Sequence, residues 1–174
     1  MLDVRVLPDH VRRELDRQES AETTVVFLTI EHAELPEPIR VVSDPRNFVL
    51  DGFTHIGFYF DITVLSDGEG PPYASLTVQN ADKRVSEGIL SAVTPARVKI
   101  EVIAGSNFNL EDNPCTEIGG PNTAERIYSA PHLFLTEVEA NVLTVQGRLV
   151  SWDYTQELWP GIMATKNRLP GLFR

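Results

Sequence analysis

The sequence predicts a mainly β domain, an antiparallel β-sandwich or barrel with an N-terminal helix and one short internal helix. Two observations lead to this class. Short segments with apolar residues at every second position recur along the chain, as in strands with one buried face. Turns that contain Gly, Pro or Asp separate these segments, and only two segments have helical spacing. With 174 residues and 42% hydrophobic residues, the chain has the size of one domain and can bury a core.

The first segment, about residues 8–21, is predicted to be helical. Pro8 suits a first helical turn, and Val11 and Leu15 form an apolar pair four residues apart. The remaining positions are highly charged. This pattern fits a helix that lies on a sheet edge or a neighbouring subunit, and it fits a solvated surface helix equally well. Residues 1–22 therefore form a separate helical segment in this prediction.

The β domain is predicted between residues 23 and 158. Asp51-Gly52 is a tight-turn dipeptide that predicts a hairpin after Phe48–Leu50. The clearest alternation is at 97–103, where Val98, Ile100 and Val102 alternate with Arg97, Lys99 and Glu101. Residues 82–93 are predicted to form the short internal helix. Further strands are predicted at 23–31, 39–42, 58–65, 75–79, 133–138 and 142–150.

Two regions lack this alternation. Residues 105–125 are polar, include Gly119-Gly120-Pro121, and are predicted to form a long exposed insertion. Residues 159–174 are apolar and basic, which predicts an arm that packs on another surface, because a free terminus rarely keeps such groups in water. The arm covers either a neighbouring subunit or the chain's own sheet. Its docking residues are predicted to be Trp159, Pro160, Leu169, Pro170, Gly171, Leu172 and Phe173.

The charge balance argues against general nucleic-acid binding. The chain has 15 Lys and Arg against 25 Asp and Glu, a formal charge of −10, whereas phosphate binding depends on basic patches. Solubility explains such acidity, and so does a surface past which DNA can slide. No apolar stretch approaches the ~20 residues of a membrane span, and the charged N-terminus is unlike a secretory signal. The sequence thus predicts synthesis in the cytoplasm.

No combination of residues predicts an active site. Cys115 is the only thiol, and it lies in the predicted insertion rather than in the rigid, electropositive setting that a nucleophile needs. Glu137 and Glu139 share a strand face, most simply as a solvent-facing row. The histidines form no closely spaced pair and are predicted at surface or turn positions: His10, His32, His55 and His132. We therefore predict no catalytic residue, no metal site and no cofactor, and a protein that is not an enzyme.

Three stretches, in their order and spacing, resemble an uncharacterised family of phage tail proteins. The first is LTIEH at 28–32 with LPEPIRVV at 35–42, and the second is FYFDI at 58–62 with ASLTVQN at 74–80. The third is WPG at 159–161 with LPGLF at 169–173. The similarity extends from about residue 23 to residue 173. More distantly, the chain is similar to the N-terminal part of the lambda minor tail protein L, a tail-tip hub component.

The resemblance implies a minor tail protein in the tail-tip ring or hub of a long-tailed phage. Such a subunit joins the distal tail to the central fibre or receptor-binding apparatus around the DNA channel. The implied assembly is a homo-oligomer, a trimer or a hexamer, with distal tail, hub and central fibre proteins as partners. The lambda protein also has a C-terminal cysteine cluster, implied to hold an iron–sulfur centre. A chain with one cysteine does not share it.

Two alternatives belong to other functional classes. A carbohydrate- or receptor-binding β module of the tail tip would need exposed aromatic residues, for which Trp152, Tyr154 and Trp159 are the candidates. Trp152 and Tyr154 lie two positions apart, as a stacking platform requires, although packing in a core or an interface explains them equally well. The second alternative is a hydrolase domain, which turnover of peptidoglycan or a reactive Cys115 would indicate.

Overall fold

A computed structural model describes residues 9–20, 22–63, 73–79, 94–141, 143–151 and 168. Among these residues the fold is mainly β, with 58% strand and 6% helix, as the sequence predicts. The elements are α1 Asp9–Leu15, β1 Thr24–Glu31, β2 Ile39–Val42, β3 Phe48–Leu50, β4 Phe53–Gly57, β5 Phe60–Ile62, β6 Tyr73–Gln79, β7 Ala96–Ala104, a 3-10 turn Gly105–Asn107, β8 Phe108–Asn109, β9 Thr116–Glu117, β10 Arg126–Ala140 and β11 Thr144–Ser151.

Nine strands form one sheet in the order β3-β4-β2-β1-β7-β10-β11-β6-β5. Strands β4 and β5 lie near opposite ends of this order, yet only two residues separate them in the chain. The first of these, Phe58, donates its backbone N–H to the carbonyl of Val42 in β2 at 2.9 Å. The second, Tyr59, accepts a hydrogen bond from the backbone N–H of Gln79 in β6 at 3.4 Å. The sheet therefore curves back on itself in the manner of a barrel.

The strand pairing differs from the prediction in one respect. Strands β2 and β4 are parallel, with Val41 opposite Ile56, so the sheet is mixed rather than wholly antiparallel. This pairing follows from the closure, because the chain must run from the β3–β4 hairpin towards β5 beside β2. The predicted hairpin at Asp51-Gly52 is confirmed: both residues have positive φ, 53° and 81°, as a two-residue type I′ turn requires.

Apolar side chains are buried on both faces of the sheet. The inner core lies on the concave face and takes residues from seven strands: Leu28, Ile30, Val41, Phe60, Ala74, Leu76, Val78, Ala96, Val98, Ile100, Leu133, Leu135 and Leu149. The outer core lies on the opposite face of β1 and β7: Val25, Phe27, Val42, Phe48, Leu50, Ile103, Phe108, Cys115 and Ala124. Strand β1 thus contributes even-numbered residues to one core and odd-numbered residues to the other.

Strand β7 lies between the two cores, although its sequence alternates like that of a strand with one buried face. Val98 and Ile100 are buried, as the alternation predicts. Glu101 belongs to the charged set of this alternation, yet it is only 4% exposed, and Ile103 on the same face is fully buried. The alternation does not indicate this burial, because the outer core and the residues around it cover this end of the strand.

The prediction of an exposed insertion at 105–125 was also wrong in part. Many of its residues are exposed, but Phe108, Cys115 and Ala124 are buried in the outer core. Cys115 is bound to β3 on both of its backbone groups. Its N–H donates to the carbonyl of Asn47 at 2.8 Å, and its carbonyl accepts from the N–H of Val49 at 2.8 Å. This segment therefore covers the barrel instead of projecting from it.

Several predicted boundaries change. Helix α1 is seven residues long, shorter than the predicted 8–21. Strand β5 has three paired residues, within the predicted 58–65, and β10 begins at residue 126 instead of 133. The predicted internal helix at 82–93 lies outside the described residues. Within the described residues, no helix has the length and apolar character that crossing a membrane requires.

Candidate functional site

The residues predicted to dock on a neighbour lie outside the described part of the chain. They are Trp159, Pro160, Leu169, Pro170, Gly171, Leu172 and Phe173. The aromatic candidates Trp152 and Tyr154 also lie outside it. The described residues nevertheless contain three features with functional potential: a buried histidine, a charge cluster and a surface pocket.

The environment of Cys115 is that of a core residue. Its side chain is fully buried among the aromatic rings of the outer core, and its Sγ–H donates to the carbonyl of Asp112 at 3.4 Å. The prediction that this thiol lies in an exposed insertion was therefore wrong. Among the described residues, no group of three or more His, Cys, Asp or Glu side chains is placed to hold a metal ion.

Two histidines occupy surface or turn positions, as predicted. His32 Nε2 lies 2.8 Å from Thr94 Oγ1, and exposed His132 accepts a hydrogen bond on Nδ1 from Arg97 at 2.5 Å. The prediction for His55 was wrong, because its ring is 4% exposed and packs edge-on against Phe27, with 5.1 Å between ring centroids. His55 lies on β4, which places it over the outer face of β1.

Burial determines the protonation of His55. Loss of solvent lowers its pKa below the ordinary value of 6.5, while its hydrogen bond to the Phe53 carbonyl at 3.2 Å opposes the shift. The Arg40 guanidinium also favours the neutral ring, and the Glu101 carboxylate favours the charged ring. The net direction is downward, so the folded protein contains a neutral imidazole near neutral pH.

Stability is therefore expected to fall as the pH decreases below about 6.5. Protonation is easier in the unfolded chain, so the contribution of neutral His55 is complete above its unfolded pKa and is lost as the pH falls towards its folded pKa. Urea unfolding of the wild type and of His55→Gln between pH 7.5 and pH 5 measures this. The pKa of Asp44, lowered by its hydrogen bond to Arg46 below the ordinary value of 3.8, lies outside this window. An equal pH dependence in the two proteins would contradict the assignment to His55.

A charge cluster of Asp51, Lys99, Glu101 and Arg126 borders the outer core. Arg126 Nε donates to Glu101 Oε1 at 2.5 Å, and Arg126 Nη2 donates to Asp51 Oδ2. Lys99 Nζ lies 2.8 Å from the other Glu101 oxygen. Burial disfavours the Arg126 charge, but the two carboxylates outweigh it and raise its pKa. The cluster joins the β3–β4 turn to β7 and β10.

The carboxylate of Glu117 continues this connection. It accepts a hydrogen bond from the backbone N–H of Asp51 on one oxygen. Its other oxygen accepts from the N–H groups of Thr123 and Ala124 at 3.1 and 3.2 Å. Charged acceptors make stronger bonds to backbone donors than neutral ones do. These contacts hold the 105–125 segment against the hairpin, so we interpret the charge cluster as structural.

The third feature is a pocket on the convex face of β6, β10 and β11, which we name the outer pocket. Strand β6 contributes Tyr73 and Ser75, β11 contributes Gln146 to Arg148, and β10 contributes Glu137 and Glu139. Its volume is about 370 Å³. The Arg148 guanidinium carbon lies 4.2 Å from the centroid of the Tyr73 ring, and Arg148 Nη1 is 3.5 Å from Glu137 Oε1.

Two local features of the backbone shape this pocket. The register of β10 against β11 shifts between Thr136 and Glu139, and Glu137 within this bulge has φ of 52°. A bulge bends its strand and redirects side chains. On β11, an added Cβ at Gly147 would lie 2.5 Å from Leu135 Cδ1, so a larger residue would collide with the inner core. The bulge thus accounts for the position of Glu137, and the absence of a side chain at Gly147 leaves room for Leu135.

Compared with models of known protein families and with curated proteins, the chain matches none. Sequence reasoning identified Glu137 and Glu139 as neighbours on one face, and both line the outer pocket. It missed Tyr73 and Arg148, because their proximity comes from strand pairing between distant parts of the chain.

Proposed function

We propose that this chain is a structural minor tail protein in the tail-tip ring or hub of a long-tailed phage. In this role it joins the distal tail to the central fibre or receptor-binding apparatus around the DNA channel. It acts by shape and oligomerisation, without a cofactor and without catalysis. The observation that carries the proposal is the resemblance of three ordered stretches, at 28–42, 58–80 and 159–173, to phage tail proteins.

The positions of the first two stretches support this proposal. The first forms the β1–β2 pair, and the second contains the β5–β6 pair, in which Phe60 lies opposite Val78. The two pairs meet at the hydrogen bond from Phe58 to Val42, where the sheet closes. Residues that carry the resemblance thus form the closure of the barrel instead of being scattered over the fold. The third stretch lies outside the described residues.

Exposed apolar side chains near this closure support contact with other subunits. Phe53, Ile56 and Tyr59 are 54%, 56% and 68% exposed, within a span of seven residues. Phe53 and Ile56 lie three positions apart on β4 and therefore on opposite faces of the strand, so they expose apolar groups on two sides. A closed ring needs heterologous interfaces, in which two different surfaces of one subunit meet. We propose that the arm at 159–173 supplies one of these surfaces in a trimer or a hexamer.

The acidity of the chain is compatible with a position around a DNA channel. With a formal charge of −10, the protein lacks the excess of cations that holds phosphate groups. A wall of this charge would let DNA pass without specific binding. The proposed partners are distal tail, hub and central fibre proteins, and the proposed location is the virion tail tip after synthesis in the host cytoplasm.

Electron cryomicroscopy of purified virions tests this role. We expect density for three or six copies around the tail axis. The substitution Phe173→Ser should reduce the amount of the chain in particles, because it removes an apolar group from the proposed docking arm. The matched control is Leu143→Ser, at a residue that is 76% exposed on the β10–β11 turn. Absence of the chain from intact particles would refute the tail-tip proposal.

The second candidate function is a carbohydrate- or receptor-binding module of the tail tip. One described feature favours it, namely the outer pocket with its polar lining and its single aromatic ring. The aromatic residues that the sequence suggested for this role, Trp152, Tyr154 and Trp159, lie outside the described residues.

A further inference from the structure

We infer that the outer pocket is a binding site for a neutral hexopyranose, held by Tyr73, Glu137, Glu139 and Arg148. This inference is independent of the proposed ring, because a subunit can assemble into a ring whether or not it binds a sugar. It assigns the ligand to described residues on three strands, and not to the aromatic residues near the end of the chain.

The size and support of the pocket suit a small ligand. Its volume of about 370 Å³ is at the lower end of the roughly 300–1,000 Å³ typical of small-molecule sites. The lining side chains project from paired strands, and the β10 bulge fixes the position of Glu137. Sites built on strands hold their groups more accurately than sites built on loops. The lining side chains are therefore held by three hydrogen-bonded strands.

The polar groups of the pocket match the needs of vicinal hydroxyls. Each sugar hydroxyl both donates and accepts, so a diol is best bound between carboxylate acceptors and guanidinium donors. Glu137 and Glu139 supply the acceptors, and both are exposed. Arg148 supplies the donors: its side chain is partly exposed, and its Nη1 is only loosely paired with Glu137 at 3.5 Å.

Tyr73 supplies the apolar component that sugar binding also needs. Its ring is 45% exposed, and the Arg148 guanidinium covers part of it at 4.2 Å. A tyrosine combines an apolar body with a polar hydroxyl, which suits a ligand that has both kinds of surface. The C–H face of a pyranose can pack on the open part of this ring while its hydroxyls reach the carboxylates.

Other ligand classes fit this pocket less well. Two carboxylates against one guanidinium leave a net negative charge, which disfavours phosphate and other anions. A metal ion would need a third ligand beside the two carboxylates, and no described His, Cys, Asp or Glu side chain supplies one. Tyr73 is the only aromatic residue among the described residues that line the pocket, and these offer little apolar surface for a large apolar ligand to bury.

Saturation-transfer NMR of the purified full chain tests the site. The probes are the methyl glycosides of glucose, galactose, mannose and N-acetylglucosamine, each added singly. We expect saturation transfer to at least one of them. Titration should show that Glu139→Gln and Tyr73→Ala each weaken that binding by about tenfold or more, since each removes a contact to the ligand. Glu125→Gln, which alters an exposed carboxylate away from the pocket, should leave it unchanged.

Two results would overturn the inference. One is the absence of saturation transfer to all four glycosides from the correctly folded wild-type protein. The other is binding that persists in Glu139→Gln and Tyr73→Ala, which would place the sugar elsewhere on the chain. Both substituted residues are exposed, so unchanged thermal unfolding midpoints are expected and would separate loss of binding from loss of folding. Either result leaves the amount of the chain in virions unaffected, so it is distinguishable from failure of the ring proposal.

Discussion

Replacing Phe48 with alanine is expected to lower the free energy of unfolding by about 3–5 kcal/mol, the usual cost of removing a buried aromatic side chain. Phe48 is fully buried at the centre of the outer core. Its ring meets Phe27 edge-on at a centroid distance of 5.9 Å and Phe108 at 5.1 Å. Because β3 and the 105–125 segment meet at this ring, the cavity would loosen both. Urea unfolding at neutral pH measures the loss.

Phe53→Ala is the matched control, because both residues belong to the β3–β4 hairpin. Phe53 is 54% exposed and has one notable contact, with the Arg40 guanidinium 4.2 Å from its ring centroid. Exposed cation–π contacts contribute about 0.5–1 kcal/mol, so the control should lose no more than this. Similar losses for the two variants would mean that the outer core does not stabilise the fold as its packing indicates.

The β3–β4 hairpin also shows what the sequence predicts well. Its turn depends on two adjacent residues, Asp51 and Gly52, whose positive φ angles are a local property of the chain. The inner-core positions of β7 are predictable for the same reason, since alternation at Val98 and Ile100 needs only neighbouring residues. Local chemistry therefore predicts the class of the fold and several of its strands.

The outer core could not be predicted in this way. Phe108 and Cys115 are single apolar residues within a polar segment, so they form no periodic pattern, and the sequence predicts an exposed insertion there. Strand β7 keeps a regular alternation of apolar and charged residues, which is typical of a strand with one buried face. The burial of Glu101 therefore leaves no sign in this pattern, because residues distant in sequence cover it.

The outer pocket was partly predictable. Glu137 and Glu139 lie two positions apart, which predicts a shared face, and both line the pocket. The bulge between Thr136 and Glu139 left no signal in the sequence that we could recognise. The contact between Tyr73 and Arg148 depends on the register of β6 against β11, in which Ser75 lies opposite Arg148, and a single sequence does not reveal this register.

The charge cluster gives the second large expected effect. Arg126→Met should lower the free energy of unfolding by about 3 kcal/mol, because breaking a buried ion pair leaves a charge without compensation. The Glu101 side chain is only 5% exposed and, among the described residues, would keep Lys99 as its one cationic partner. Asp51 would lose its ion pair with Arg126 as well, and no described residue forms a hydrogen bond with its buried Oδ1. Methionine preserves much of the side-chain length, so the loss reports mainly on charge.

Two further variants separate this effect from a general loss of packing. Arg17→Met removes an exposed pair with Glu14, at 2.5 Å, and should cost far less, because solvent screens such pairs. Adding Glu101→Gln to Arg126→Met should restore part of the stability, since the buried carboxylate then carries no charge. Denaturant unfolding at pH 7 of five proteins, namely the wild type, Arg126→Met, Arg17→Met, Glu101→Gln and the double variant, gives these differences. Suppose that Glu101→Gln lowered the free energy of unfolding by the same amount in the wild type and in Arg126→Met. The two residues would then be energetically independent, and the cluster would not hold the hairpin to the barrel.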